Sequence, residues 1–212
     1  MVHDEQAHLW KRRDSDTVIV CFAGHHPDSP PPFNFGKATD GIPESALLLR
    51  DHWKVWYHFG LNGVAGDIDS SVEWLRDQLQ PYEHVRIVGG SSGGYAALLF
   101  GALLGRGTVV AFGPQTFLSR ELHDKHSLKF GRQKREQLYN MDHINLYGDL
   151  RPVLAGVEQR RRVFVGRENR EDMIYANHLD GLAELSLIDT REHNVAGVLR
   201  QQGRLQGLIR NG

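Results

Sequence analysis

The amino-acid sequence predicts an α/β protein with a mostly parallel central sheet of about six strands and helices on both faces. Short apolar runs rich in β-branched residues alternate along the chain with helical patterns, and this alternation is typical of parallel sheets. The chain has 212 residues, of which 40% are hydrophobic, and this is enough for one sizeable core. A glycine-rich turn also joins one predicted strand directly to a helix. We therefore expect a single domain over residues 1–212.

Six apolar runs are predicted strands. The first run contains Cys21, the only cysteine, and we expect this small side chain to be buried in the core. A single cysteine cannot form a disulfide within the chain. In a parallel sheet the loops beyond the carboxyl ends of the strands carry the functional groups. The predicted strands span residues 17–22, 46–49, 85–88, 108–112, 163–165 and 185–188.

Helical patterns occupy most of the segments between these strands. Residues 68–79 carry apolar side chains at Ile68, Val72 and Leu75, a spacing that predicts an amphipathic helix. Further helices are predicted over residues 95–104, 174–182 and 195–208. Residues 117–150 lack a clear strand and carry apolar side chains among charged ones. They predict a small helical insertion or lid that lies over the sheet edge.

The most informative segment is the turn after the third predicted strand, which reads Gly-Gly-Ser-Ser-Gly-Gly and runs into an apolar helix. Gly-x-Ser-x-Gly in this setting predicts a nucleophile elbow, with Ser91 at the tip of a strained turn between Gly89 and Gly93. Ser92 is bracketed by glycines at the same spacing, but the register of strand and helix favours Ser91. A turn that only packs the helix on the strand is the alternative interpretation. The segment lacks the lysine of a phosphate-binding loop and the Gly-x-Gly-x-x-Gly pattern of a dinucleotide site.

A serine hydroxyl needs a base, and a carboxylate that orients the base, before it can act as a nucleophile. In elbow-type enzymes both follow the serine along the chain, on loops after later strands. Asp172 follows the fifth predicted strand and His193 follows the sixth, so we predict them as acid and base. Glu168 shares the acid loop and is an alternative acid, while Asp172 in a purely structural role would cap the next helix. His178 lies within a predicted helix and is interpreted as structural.

Backbone N–H groups are the predicted donors to the oxyanion that forms on the substrate. One donor is Ser92, at the start of the helix, and the second is Gly24 or His25 in the loop after the first strand. Gln115 follows the fourth strand and is a candidate substrate-binding residue. His25 and His26 are adjacent, but adjacent loop histidines rarely chelate a metal without further ligands, so we interpret them as pocket wall.

Taken together, these residues resemble the α/β-hydrolase superfamily, specifically its small members without a large cap. The resemblance extends from residue 17 to about residue 208 and rests on the Phe22-Ala23-Gly24 oxyanion turn, the elbow around Ser91, the acid loop with Asp172 and the late His193. It implies an α/β-hydrolase fold with a minimal cap, for which residues 117–150 have the expected position. The N-terminal antiparallel hairpin that is usual in the family is reduced or absent in this sequence.

The resemblance implies a serine hydrolase that cleaves an ester or thioester through an acyl-enzyme on Ser91, with no metal or organic cofactor. An acyltransferase or cyclase would use the same residues, and a non-catalytic binding protein on this fold is the competing class. The expected substrate is a small-molecule or carrier-linked acyl compound. An aromatic cluster after the second strand either lines an acyl pocket or belongs to the core, the more common role. The cluster consists of Trp53, Trp56, Tyr57 and Phe59.

Charge and hydropathy limit the partners. The formal net charge is −1, so no global field draws the chain to nucleic acid or to an anionic membrane. Residues 1–16 are charged and lack the apolar segment of a signal peptide, and no apolar stretch is long enough to span a bilayer. We therefore expect a cytoplasmic protein without nucleic-acid or membrane partners. The oligomeric state stays open.

Overall fold

A seven-stranded sheet forms the centre of the computed structural model, which describes residues 6–128 and 131–212. The spatial order is β1-β3-β2-β4-β5-β6-β7. β1 pairs antiparallel with β3, and every other neighbouring pair is parallel. The mostly parallel sheet is thereby confirmed, and each predicted strand lies within an observed one. The strands β1 to β7 are His8–Lys11, Thr17–Phe22, Ser45–Leu49, His84–Gly90, Thr108–Phe112, Arg161–Gly166 and Glu184–Ile188.

β1 was not among the six predicted strands. The N-terminal antiparallel element, which we expected to be reduced or absent, consists of this one strand. Its four residues pair with β3 in the register Trp10↔Leu47. No residue of β1 is fully buried, and Leu9 is 43% exposed. An edge strand of this kind has no buried face, so its sequence lacks the alternation of apolar and polar residues that predicts a strand.

Helices cover both faces of the sheet, as predicted. Alternate residues of β2 point to opposite sides, so that Val18 and Val20 join one core cluster and Ile19 and Cys21 join another. The first cluster includes side chains of α1 and α2, and the second includes side chains of α8 and α9. The helices α1 to α9 are Ile68–Leu79, Ser92–Leu104, Arg120–His126, Arg132–Leu138, Asp142–Tyr147, Leu150–Ala155, Arg170–Asn177, Val195–Gln201 and Leu205–Asn211.

Local capping explains where the observed helices depart from prediction. α1 has the predicted bounds, because Asp67 accepts a hydrogen bond from the Ser70 N–H at 2.8 Å and closes a capping box. α7 begins earlier than predicted, since Asn169 caps it, and it ends before residue 178. The helix predicted over residues 195–208 is two helices, α8 and α9, separated at Gly203, whose φ is +71°.

The segment 117–150 contains α3, α4 and α5. Its ends are tied together where the Leu118 N–H donates to the Gly148 carbonyl at 2.6 Å. Tyr147 hydrogen-bonds to the α2 residue Tyr95 and to the α1 residue Asp69. Lys129 and Phe130, also within this segment, lie outside the described residues, as do residues 1–5. Within the described part of the chain, no helix is long and apolar enough to cross a membrane.

Candidate active site

Ser91 occupies the turn between β4 and α2 in a strained backbone conformation. Its φ of 55° and ψ of −123° are rarely adopted by residues with a side chain. The Ser91 N–H donates to the carbonyl of Phe112 at 2.8 Å, and the Ser91 carbonyl accepts from the Gly94 N–H at 2.8 Å. These backbone bonds hold the serine at the carboxyl end of the sheet, with its side chain partly exposed.

Glycines on either side of Ser91 let the chain fold back on itself. A Cβ atom at Gly89 would overlap the carbonyl of Gly93, and one at Gly93 would overlap the carbonyl of Phe22 at the end of β2. The backbone of the elbow is thus packed against the loop that follows β2. The two glycines of the Gly-x-Ser-x-Gly pattern are therefore required by the local geometry around Ser91, which the pattern predicted.

The structure brings Ser91, His193 and Asp172 into one hydrogen-bonded series. His193 lies between β7 and α8, with Nε2 at 2.8 Å from Ser91 Oγ and Nδ1 at 2.7 Å from Asp172 Oδ1. Asp172 lies in the first turn of α7 with its side chain 3% exposed. The alternative acid, Glu168, faces elsewhere and forms an ion pair with Arg191 at 2.7 Å.

Asn169 is a supporting residue that sequence reasoning did not identify. Its side-chain oxygen accepts from the Asp172 N–H at 3.1 Å, and its side-chain NH₂ donates to the Arg191 carbonyl at 3.1 Å. One side chain thereby joins the loop of Asp172 to the loop of His193. The helix cap is therefore Asn169, and the Asp172 carboxylate is left to face the imidazole.

The charge on Asp172 changes the acid–base behaviour of His193. The hydrogen bond that His193 donates to Asp172 raises the pKa of His193 above its ordinary value of 6.5, burial opposes the rise, and the nearby negative charges of Asp172 and Glu171 add to it. Since Asp172 accepts at Nδ1, the proton of neutral His193 is on Nδ1 and the lone pair of Nε2 faces Ser91. Such an imidazole can accept the serine proton.

Gln115 approaches Ser91 from the other side. Its side-chain nitrogen lies 3.3 Å from Ser91 Oγ, and its side-chain oxygen lies 3.2 Å from the indole nitrogen of Trp56. An indole N–H can only donate, so Trp56 fixes which end of the Gln115 amide faces the serine. Gln115 and Trp56 are both almost fully buried. Gln115 was predicted near the site, whereas nothing in the sequence indicated the contact with Trp56.

The predicted oxyanion donors differ in their surroundings. Ser92 is the first residue of α2, where a backbone N–H has no acceptor within the helix. Gly24 lies against the elbow, but its N–H donates to the side-chain oxygen of Asn34 at 3.0 Å. His25 packs edge-on against Trp56 with ring centroids 4.5 Å apart, and burial lowers its pKa to about 4. His25 is consequently neutral near pH 7.

A cavity of about 560 Å³ opens beside Ser91 and His193. One wall is the loop after β2, including His25, His26 and Asn34, and the other is formed by the start of α8 and by Leu205. The aromatic cluster after β3 does not line this cavity, and its members Trp56 and Tyr57 are fully buried in the core. The lining residues that sequence reasoning missed include Phe33, Phe35, Lys37 and Arg200.

One group of potential metal ligands occurs in the described part of the chain, and it lies away from Ser91. Asp16, Glu83 and His84 bring their ligand atoms within 4.8 Å of one another at the surface. They lie at the amino ends of β2 and β4, whereas Ser91 follows the carboxyl end of β4. Exposed acidic groups often lie close together without a metal, and this group has no connection to the cavity.

Comparison with known proteins identifies the fold. Neither a known protein family nor a curated protein sequence matches the chain. Solved structures with similar folds include a capsule O-acetyltransferase of Neisseria meningitidis serogroup A (14% identity, 98% of this chain and 92% of that chain, TM-score 0.68). They also include the fluorophosphonate-binding serine hydrolase F of Staphylococcus aureus (11%, 94% and 85%, 0.64) and an esterase of Pyrococcus furiosus (13%, 97% and 86%, 0.59). The chain has an α/β-hydrolase fold.

Proposed function

We propose that this protein transfers acyl groups through a covalent intermediate on Ser91, as a hydrolase of carboxylic esters or thioesters. The observation that carries the proposal is the hydrogen-bonded series Ser91–His193–Asp172, with separations of 2.8 and 2.7 Å. A nucleophile, a base and an orienting carboxylate within hydrogen-bond reach are the requirements for activating a serine. The 2.8 Å separation of Ser91 and His193 favours an enzyme over a non-catalytic binding protein.

The direction of each hydrogen bond supports the same role. Trp56 donates to Gln115, and Gln115 donates to Ser91 Oγ. Since the serine oxygen accepts from Gln115, its own proton is directed to Nε2 of His193. Each group from Trp56 to His193 therefore donates a hydrogen bond to the next, and Asp172 accepts the last one. The direction is fixed because the indole of Trp56 cannot accept a hydrogen bond. In this proposal Gln115 contacts the nucleophile directly in the free enzyme.

The reaction would begin when Ser91 Oγ attacks the acyl carbon and its proton passes to His193. The tetrahedral oxyanion would receive hydrogen bonds from the Ser92 N–H and from the N–H of His25 or Gly24, each worth about 3 kcal/mol. The Gly24 N–H becomes available only when Asn34 turns away from it. Imidazolium His193 would then protonate the leaving group, and the acyl-enzyme would be released by water activated in the same way.

A second candidate is an acyltransferase that uses the same residues and passes the acyl group to an alcohol. The fold similarity to a capsule O-acetyltransferase favours this candidate, and a mutant of that protein is known in complex with CoA. The substrate in either case is a small-molecule or carrier-linked acyl compound, with residues 1–212 acting as one domain and residues 117–150 as its insertion. Hydrolysis and transfer differ only in the acceptor of the acyl group.

Intact-mass analysis after treatment with a fluorophosphonate probe tests the proposal. We expect one adduct on the wild-type protein, no adduct on Ser91→Ala, and the wild-type adduct on Ser92→Ala, because only Ser91 contacts the base. Ester and thioester substrates, with and without an added alcohol acceptor, would then separate hydrolase from acyltransferase. A wild-type protein that stays unlabelled, or an adduct lost only in Ser92→Ala, would contradict the role of Ser91.

A further inference from the structure

The cavity beside Ser91 has an unusual charge for this protein. The chain as a whole has 26 acidic and 25 basic side chains, yet among the described residues no aspartate or glutamate lines the cavity. Lys37 and Arg200 do line it, one from the loop after β2 and the other from α8. The remaining lining residues are Ser91 and apolar residues, histidines, asparagines and glycines. Its permanent charge is therefore positive.

The two cations are not used for structural ion pairs. Within residues 6–128 and 131–212, neither Lys37 nor Arg200 has a carboxylate within 4.0 Å of its charged nitrogens. The acidic residue close to Lys37 along the chain is Asp40, whose carboxylate pairs with Lys11 at 2.6 Å and interacts with Lys37 only through a longer-range attraction of charges. Arg210 of α9 differs from Arg200 in this respect, since Glu44 binds it at 2.9 Å.

The cavity that Lys37 and Arg200 share with Ser91 also has aromatic walls. Phe35 packs on Phe112 with ring centroids 6.1 Å apart, and both line the cavity together with Phe33. A ligand in this cavity would meet Ser91 and His193, aromatic surface and the two exposed cations. An acyl compound that carries an anionic group and an apolar or flat segment matches this combination of surfaces.

We infer that the acyl substrate carries an anionic group, a carboxylate or a phosphate, that Lys37 and Arg200 bind while the scissile carbonyl lies at Ser91. This inference rests on the proposed function. Because both cations are exposed, each contributes modestly to binding, and removal of either is expected to lower the preference for an anionic substrate by about threefold to tenfold. The preference is also expected to weaken at high salt, which screens exposed charges.

Matched substrate pairs test the inference and also distinguish the two sources of the anion. One pair places a carboxylate on the acyl side, as para-nitrophenyl hemisuccinate against para-nitrophenyl pentanoate. The other places a phosphate on the leaving group, as acetyl phosphopantetheine against acetyl pantetheine. The measured quantity is the ratio of kcat/KM for the anionic and the neutral member. Protection of Ser91 from the fluorophosphonate probe by phosphopantetheine or by pantetheine gives a second readout that needs no turnover.

For one of the two pairs we expect a wild-type ratio of about ten. This ratio should be lower in Lys37→Met and in Arg200→Met. Lys125→Met is the matched control, because it removes an exposed positive charge that does not line the cavity, and its ratio should equal that of the wild type. Ratios near one for both pairs, or ratios equal in wild type and both variants, would overturn the inference while leaving Ser91-dependent turnover intact. Absence of both turnover and probe adduct would overturn the proposed function as well.

Discussion

The loops after β2 and β3 leave neighbouring strands at the same end of the sheet, yet one is open and the other is packed. The loop after β2 exposes Asn34, leaves Phe33 and Phe35 half-buried, and lines the cavity. The loop after β3 buries Trp56 and Tyr57 completely. Both loops reach Ser91, the first through the cavity and the second through Gln115. The packed loop thus contacts Ser91 through Trp56 and Gln115, and the open loop lines the cavity.

A buried carboxylate makes the packed loop possible. Asp51, 3% exposed, accepts the backbone N–H groups of Lys54 and Tyr57 at 3.0 Å each. The Tyr57 hydroxyl in turn donates to the Ala23 carbonyl at 2.9 Å, which joins this loop to the one after β2. Satisfied polar groups let a loop be buried. Aromatic content alone therefore does not indicate which loop forms a ligand pocket.

If buried groups orient His193 and Ser91, Asp172→Asn should cause the largest loss of kcat. An asparagine can donate to Nδ1 of His193, which reverses the tautomer, and kcat is expected to fall by about 10³-fold to 10⁴-fold. In the wild type the base must be neutral, so kcat/KM should fall as the pH drops through a midpoint above 6.5, since Asp172 raises the pKa of His193. The midpoint should move to lower pH in the variant. A loss below about tenfold would mean that another group orients His193.

The packed loop after β3 contacts Ser91 through Trp56 and Gln115. Replacing Gln115 measures how much this contact contributes to kcat. Gln115→Met keeps much of the volume and removes the donor, and we expect kcat to fall by about tenfold with little change in KM. Gln115→Glu places a carboxylate beside Ser91 Oγ and should cost about 100-fold, because it repels the developing oxyanion.

Trp56→Phe is the companion variant, since it leaves Gln115 in place but frees its amide to turn. Its loss of kcat should be smaller than that of Gln115→Met, provided that thermal unfolding shows both variants to be folded. Equal kcat values for Gln115→Met and the wild type would show that the packed loop is structural only.

In the open loop after β2, Phe35→Ala should change KM more than kcat. Phe35 lines the cavity, and its side chain has no polar atom that could join the hydrogen-bonded series of Ser91, His193 and Asp172. Loss of its apolar surface is expected to raise KM by about fivefold to tenfold while kcat stays within about twofold. Steady-state kinetics on a para-nitrophenyl ester separates the two constants. A fall in kcat with unchanged KM would assign Phe35 to orientation instead.

The smallest effect is expected for Ser92→Ala. The Ser92 hydroxyl is buried and has no hydrogen-bond partner among the described residues, while its proposed role belongs to the backbone N–H. The variant should keep its activity within about twofold, and its unfolding free energy should be unchanged or higher by up to about 1 kcal/mol. Chemical denaturation and esterase assays check both. A large loss of activity would return Ser92 to consideration as nucleophile.

Chain order and element type were sufficient to select the residues that the structure brings together around Ser91. Asp172 and His193 each follow a strand whose apolar run is plain in the sequence, and parallel strands end at one edge of the sheet. The elbow was predictable because glycine is the one residue that fits at Gly89 and Gly93. The fold class followed from the same strands and their intervening helices.

Contacts between distant loops could not be predicted in this way. The hydrogen bond between Trp56 and Gln115 joins residues 59 positions apart in the chain. No periodicity in either loop indicates this contact. Asn34 and Phe35 follow a run of prolines, where neither helix nor strand patterns apply. The position of the cavity beside the loop after β2 depends on tertiary contacts between loops, which the sequence pattern of a single loop does not indicate.

Tyr147 ties segment 117–150 to α1 and α2 at two points. Its carbonyl accepts from the Tyr95 hydroxyl at 2.7 Å, and its own hydroxyl donates to Asp69 at 2.8 Å. These partners lie near the starts of α2 and α1, so segment 117–150 would have to break both hydrogen bonds to swing outward. None of its described residues lines the cavity beside Ser91. Under the proposed function, a substrate would reach Ser91 on the side of Phe35 without movement of this segment, so that diffusion and surface charge are expected to limit its arrival.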